Sequence, residues 1–128
     1  MDTSTKPTIL IIEDDQDLQD LYLQTFTLAG FEVLQALDGE TGLTLAQQHP
    51  EIKVMIIDIM LPKVSGFEVI RAIRETAISH DIPIMTVSAL LEDEDRQKGL
   101  EAGANTFLTK GELPLREIVT MAQRYAGI

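Results

Sequence analysis

The chain contains no cysteine, which excludes a disulfide framework and any thiolate metal site. It has no apolar run near the ~18 residues of a membrane span; its longest are short blocks such as Ile9 to Ile12. The opening residues are polar and lack the apolar centre of a secretion signal. Residues 1–7 are therefore expected to be a flexible lead-in, with a single domain over 8–128. No repeat, linker or low-complexity tract interrupts the sequence, and no second domain is expected within these 128 residues. Basic residues are scarce: 10 Lys and Arg stand against 21 Asp and Glu, a net charge of −11. A field of that sign repels a phosphate backbone, so direct nucleic-acid binding is not expected. It suits a cation or a basic protein surface. Together these absences point to a cytoplasmic protein with no membrane association.

What is present is ordinary globular material: 45% hydrophobic and 24% charged residues, enough for one core. Two kinds of segment alternate. Ile9–Ile12, Val54–Ile57 and Ile84–Val87 are short apolar, β-branched blocks of the kind buried parallel strands show. Thr106–Thr109 is a weaker block, and Glu32–Ala36 alternates as an edge strand does. Helical stripes lie between them. Leu18, Leu21, Tyr22, Phe26 and Ala29 share one face, with Gly30 as a stop. Asp38 can cap a helix carrying Leu43 and Ala46. Ser65 and Glu68 have capping-box spacing ahead of Val69, Ile70, Ile73 and Ala77. Leu115, Ile118, Val119 and Ala122 form a fifth stripe, with Pro114 near its first turn.

The fourth helix differs. Its first turn is acidic, and Glu92 with Arg96 and Glu94 with Lys98 have i,i+4 spacing in the favourable order. Its apolar stripe is thin, mainly Leu91 and Leu100, and Gly99 weakens its interior before Gly103 ends it. It is expected to be loosely held. Five strand–helix repeats predict an α/β, doubly wound, five-stranded parallel sheet with helices on both faces.

The polar residues of interest follow the strands. Glu13, Asp14 and Asp15 follow the first, Asp58 the third, Ser88 the fourth and Lys110 the fifth. In an open α/β sheet, ligands bind outside the carboxyl ends of the strands. One acid after a strand is usually a helix cap, and Asp15 fits that role. Carboxylates from two strands with a hydroxyl and a lysine at one edge are harder to explain so. Clustered carboxylates need a cation, and oxygen donors suit Mg²⁺ better than zinc. An aspartate can attack phosphorus to form an acyl phosphate, with Lys110 and Ser88 binding the arriving oxygens.

From about Lys6 to Tyr125 the sequence resembles the receiver domains of two-component response regulators. The matching segments are ILIIEDD (9–15), VMIIDIMLPKVSG (54–66), PIMTVSA (83–89) and GANTFLTK (103–110). The resemblance implies a flavodoxin-like (βα)5 fold with strand order 2-1-3-4-5. It makes Asp58 the phosphoacceptor, Asp14 a direct Mg²⁺ ligand, Glu13 an acid acting through water, and the Met60 backbone carbonyl a further ligand. Ser88 corresponds to the switch hydroxyl, Lys110 to the lysine that pairs with the phosphoryl group, and Phe107 to the aromatic switch position. The implied donor is a histidine kinase or phosphotransfer protein. The implied output is a protein partner docking on the face of the fourth helix, fifth strand and fifth helix, from a monomer or weak dimer of the stand-alone type.

Some positions depart from the family pattern. Gly111 stands where most members have proline, commonly with a cis bond. A cis bond before a non-proline residue costs about 2.5–4 kcal/mol, so this loop is expected to differ. Met60 and Leu90 occupy the positions that tune phosphoryl lifetime; both are apolar, and slow self-dephosphorylation follows. Asn105 and Thr106 stand where DNA-binding dimeric members carry acids, so that dimer is not expected. His49 reads as a helix-end residue and His80 as a loop residue. The competing reading is a phosphorylation-independent adaptor on the same fold. A phosphohydrolase of the haloacid-dehalogenase type is disfavoured because Met60 replaces its second aspartate. A flavin site is disfavoured because no phosphate-cradling loop follows the first strand.

Overall fold

A computed structural model describes residues 6–76, 81–89 and 92–128. Ala77, His80, Leu90 and Leu91, together with residues 1–5 of the lead-in, lie outside the described residues. The elements alternate throughout: β1 (Thr8–Ile12), α1 (Gln16–Leu28), β2 (Glu32–Ala36), α2 (Gly39–Gln48), β3 (Ile52–Ile57), α3 (Gly66–Glu75), β4 (Ile84–Ser88), α4 (Asp93–Ala102), β5 (Thr106–Thr109) and α5 (Leu115–Ala126). The strands form one sheet in the order β2-β1-β3-β4-β5, and every pairing is parallel. This is the doubly wound sheet expected from the alternation, and β2 lies at an edge.

The strand blocks are apolar on both faces because both faces are covered. Leu10 and Ile12 join Ala46 of α2, Val69, Ile70 and Ile73 of α3, and Ala102 of α4 in one core layer. Ile9 and Ile11 turn the other way, toward Tyr22 and Phe26 of α1 and Ile118, Val119 and Ala122 of α5. Successive β-strand side chains point to opposite faces, so one four-residue block feeds two layers. Each fully buried Ile or Phe in these layers contributes about 1.5–3 kcal/mol of transfer free energy.

The expected caps form, although among the described residues only the serine half of the Ser65–Glu68 box is made. Asp15 accepts from the backbone N–H groups of Asp17 and Leu18, Asp38 from Thr41, and Ser65 from Glu68. Pro114 takes the N-cap position of α5. Gly103, with φ +118°, ends α4.

Three local expectations are corrected. Leu21 is exposed, and the buried stripe of α1 contains Gln19 in its stead. Leu100 is 53% exposed, so the inward side of α4 is Gly99 and Ala102. Arg96 does not pair with Glu92. Its guanidinium crosses to β5, donating to the Phe107 carbonyl at 2.9 Å and the Thr109 hydroxyl at 3.0 Å, with Glu112 at 3.3 Å. The Glu94–Lys98 pair is present at 4.0 Å, and both partners are largely exposed. The thin apolar stripe of α4 is thus supplemented by a charged clasp that sequence periodicity does not register.

Candidate functional site

Four strand ends converge at the carboxyl edge of the sheet. Glu13 and Asp14 follow β1, Asp58 follows β3, Ser88 is the last residue of β4, and Lys110 follows β5. β1 and β3 are adjacent, with β4 and β5 next in order, so the crossovers bring residues up to 97 positions apart in sequence to one cleft.

Asp58 is 3% exposed and makes hydrogen bonds through both oxygens. Its Oδ1 accepts from Ser88 Oγ at 2.7 Å and from the Met60 backbone N–H at 3.0 Å. Its Oδ2 accepts from Lys110 Nζ at 3.1 Å. Lys110 also donates to Glu13 Oε1 at 2.8 Å, and Glu13 Oε2 accepts the Asp15 N–H at 3.1 Å. Burial pushes the Glu13 carboxyl up to about 7, with the Asp58 charge adding to the rise and the Lys110 hydrogen bond opposing it. Burial would lower the Lys110 ammonium, but its hydrogen bonds to Glu13 and Asp58 prevail and hold it above the ordinary lysine range. Tyr22, on the helix packed below, is raised to about 12 by burial and then by the Glu13 charge.

Asp14 is exposed at the rim. Glu13, Asp14 and Asp58 can each present one carboxylate oxygen so that all three lie within 4.8 Å of one another. Three hard oxygen donors, of which Lys110 neutralises two only in part, fit a small divalent cation such as Mg²⁺. The all-oxygen donor set gives no preference to zinc or copper.

Phe107 is buried, stacked on Phe67 of α3 with ring centroids 6.5 Å apart. Its ring lies against Gly99 of α4, where any β-carbon would collide with it. Gly111 adopts φ +83°, and the Glu112 N–H donates to the Thr109 carbonyl at 3.0 Å, closing a tight turn. No cis peptide occurs among the described residues. The loop after Lys110 is therefore a glycine turn, which a left-handed φ at that position makes possible.

Asn105, at a position where an acid would have implied a dimer contact, is used internally. Its Oδ1 accepts from the Ile84 N–H at 2.8 Å and from Arg74 at 2.9 Å. His49 caps the end of α2 beside Glu51, at the sheet edge opposite the cleft. Sequence reading missed Gln19, whose amide reaches three backbone carbonyls beneath the acidic loop. The available signal was its place three residues before Tyr22 and seven before Phe26, on the buried stripe.

The sequence model of one family, described as response regulator receiver domain, matches residues 9–123. Among curated proteins, the DNA-binding dual master transcriptional regulator RpaA of Synechocystis is 41% identical over 105 residues, 81% of this chain and 43% of RpaA. The transcriptional regulatory protein CpxR of Escherichia coli is 35% identical over 102 residues, 80% of this chain and 42% of CpxR. The chain thus spans less than half the length of these relatives. Among solved structures, the chemotaxis protein CheY4 of Vibrio cholerae superposes with a TM-score of 0.86 at 28% identity, covering 94% of this chain and 99% of that one. The receiver domain of the sensor histidine kinase PA1611 of Pseudomonas aeruginosa, with magnesium coordinated in its active-site cleft, gives 0.86 at 26% identity, covering 97% and 100%.

Proposed function

Because the chain belongs to the response-regulator receiver family, we propose that it is a phosphoryl-operated signalling switch with Asp58 as its acceptor. A histidine kinase or phosphotransfer protein presents a phosphohistidine, and a small acyl phosphate serves as a chemical substitute. An Asp58 oxygen attacks phosphorus, the bond from phosphorus to the donor breaks, and an acyl phosphate forms. The observation that carries this reading is the buried Asp58 carboxylate, held between Ser88 Oγ and Lys110 Nζ beside two further acids.

Lys110 is a fixed positive charge within reach of the arriving phosphoryl oxygens, and its ammonium stays protonated because two carboxylates flank it. Receiver domains of this family hold Mg²⁺ in their acidic site. Here Asp14 and Asp58 would bind it directly, Glu13 through water, and the Met60 carbonyl would complete the protein ligands. The ion supplies charge neutralisation between the carboxylates and the incoming phosphoryl group. Ser88 then exchanges its bond to Asp58 for one to a phosphoryl oxygen. Phe107, on the adjacent strand, couples that movement to α4 through its contact with Gly99. Arg96 ties α4 to β5 and to the turn before α5, so the α4-β5-α5 face responds as a unit and presents the output surface to a protein partner.

In this reading the domain is not a turnover enzyme: it catalyses its own phosphorylation and slow hydrolysis only. No helix among the described residues is long and apolar enough to cross a membrane. The net charge of −11 makes DNA contact by this domain itself unfavourable.

The test is intact mass after incubation with Mg²⁺ and acetyl phosphate, with Asp58→Asn as control. The expected result is a gain of one phosphoryl group, absent in the control and without Mg²⁺. The second reading is a phosphorylation-independent adaptor on the same fold, kept open by the glycine turn at Gly111 that stands where the family commonly has proline. No mass gain with any donor would select that second reading.

A further inference from the structure

Asp14 reaches the cleft without a side-chain hydrogen bond among the described residues, so the backbone of the β1–α1 loop alone aims it. That backbone is held from below by Gln19, which is 1% exposed. Its Nε2 donates to the carbonyls of Glu13 at 3.1 Å, Ile11 at 3.1 Å and Ala36 at 2.9 Å. The amide carries two hydrogens, so one is shared, and three surrounding carbonyls fix which end of the side chain is nitrogen. The Gln19 Oε1 in turn accepts from Gln35 Nε2 of β2 at 2.8 Å, and the same Gln35 nitrogen donates to the Gln19 carbonyl at 2.6 Å.

The Glu13 carbonyl belongs to the peptide that joins Glu13 to Asp14. Holding that carbonyl sets the plane of the peptide and hence the direction in which Asp14 leaves the chain. The other side of Glu13 is tied as well, its N–H donating to the Ala36 carbonyl at 3.0 Å. That carbonyl is one of the three Gln19 binds, so one amide braces both ends of the residue that precedes Asp14.

We propose that Gln19, backed by Gln35, is a positioning residue for the metal-binding acids, acting through the Glu13 carbonyl. The inference rests on the receiver reading above and adds a residue outside the cleft to its metal site. A buried amide fits this task because it carries no net charge that would compete with the acids for the ion. Its main contribution is to orient the ligand-bearing backbone, as outer partners of metal ligands do.

The experiment is calorimetric titration of MgCl2 into the 128-residue chain and its variants, each checked for folding by circular dichroism. Gln19→Met keeps similar length and removes the donors; its Kd for Mg²⁺ is expected to rise on the order of tenfold. Gln35→Leu, which leaves Gln19 in place without its support, is expected to lie between. Ile73→Val loosens the opposite core layer and is expected to lower the melting temperature with an unchanged Kd. A native Kd in Gln19→Met would overturn the inference, as would an equal rise in Ile73→Val, which would trace the effect to general loosening. Absence of Mg²⁺ binding by the native chain would sink the metal part of the receiver reading and this inference with it. Native binding with an unaffected Gln19→Met sinks this inference alone.

Discussion

The ring of Phe107 occupies the space that a side chain on Gly99 would need. Gly99→Ala would gain about 1 kcal/mol of helix propensity on an open helix surface. Here the added methyl must displace the ring or the helix, and overpacking of this kind costs roughly 1–3 kcal/mol. The net expectation is destabilisation in urea unfolding. Phe107→Leu in the same chain should recover much of it, because the smaller side chain clears the notch. Additive losses in the double-mutant cycle would mean that the two residues do not compete for space.

Lys110→Met should destabilise the metal-free chain by roughly 2 kcal/mol, less than the 3–5 kcal/mol for a wholly buried pair because the ammonium is partly exposed. Glu13 and Asp58 would then face each other with no cation between them. Added Mg²⁺ should restore part of the loss, which urea unfolding with and without the ion would measure. Equal stability with and without lysine would contradict the assigned electrostatics.

Glu13 makes stability depend on pH in an unusual direction. Its carboxyl ionises near 4.5 when unconstrained and near 7 in the fold. Between those values the folded chain keeps a proton that the unfolded chain has released. Stability is therefore present at low pH and lost as pH climbs from about 4.5 to about 7. Lys110 acts in an alkaline range and does not overlap this window. Glu13→Gln should flatten the metal-free profile, as followed by thermal unfolding across the window. A profile identical to that of the native chain would remove Glu13 as its source.

Met60 offers an apolar, exposed side chain two residues beyond Asp58. It cannot orient an attacking water, so the acyl phosphate should be long-lived. Met60→Asn is expected to hasten hydrolysis severalfold in a phosphate-release assay after donor removal. An unchanged rate would shift attention to how water reaches the phosphoryl group at all.

The strands were legible because β-branched blocks such as Ile9–Ile12 have one physical explanation when helices cover both faces. The acids were legible because each followed such a block. Less accessible were the residues whose roles depend on a neighbour chosen by the tertiary fold. Acceptors for Arg96 lie four to sixteen residues away, and periodicity favours Glu92 over the β5 groups and Glu112 that it binds. Gln19 was hidden because a polar residue on a buried stripe acquires meaning only when the carbonyls above it are known. Leu21 and Leu100 were placed inward by the helical spacing of apolar residues, which does not fix how wide the buried face is, and an exposed leucine costs little in an otherwise well-packed domain.

The Arg96 clasp has a consequence unrelated to phosphate. β5 is the far edge of the sheet, and an edge strand with unclaimed backbone groups is a template on which another chain can add. Arg96 takes the Phe107 carbonyl and lays a cation along that edge. Any intruding strand would have to evict a guanidinium from its acceptors first. The side chain that fastens α4 thus also guards the open border of the sheet against edge-to-edge aggregation.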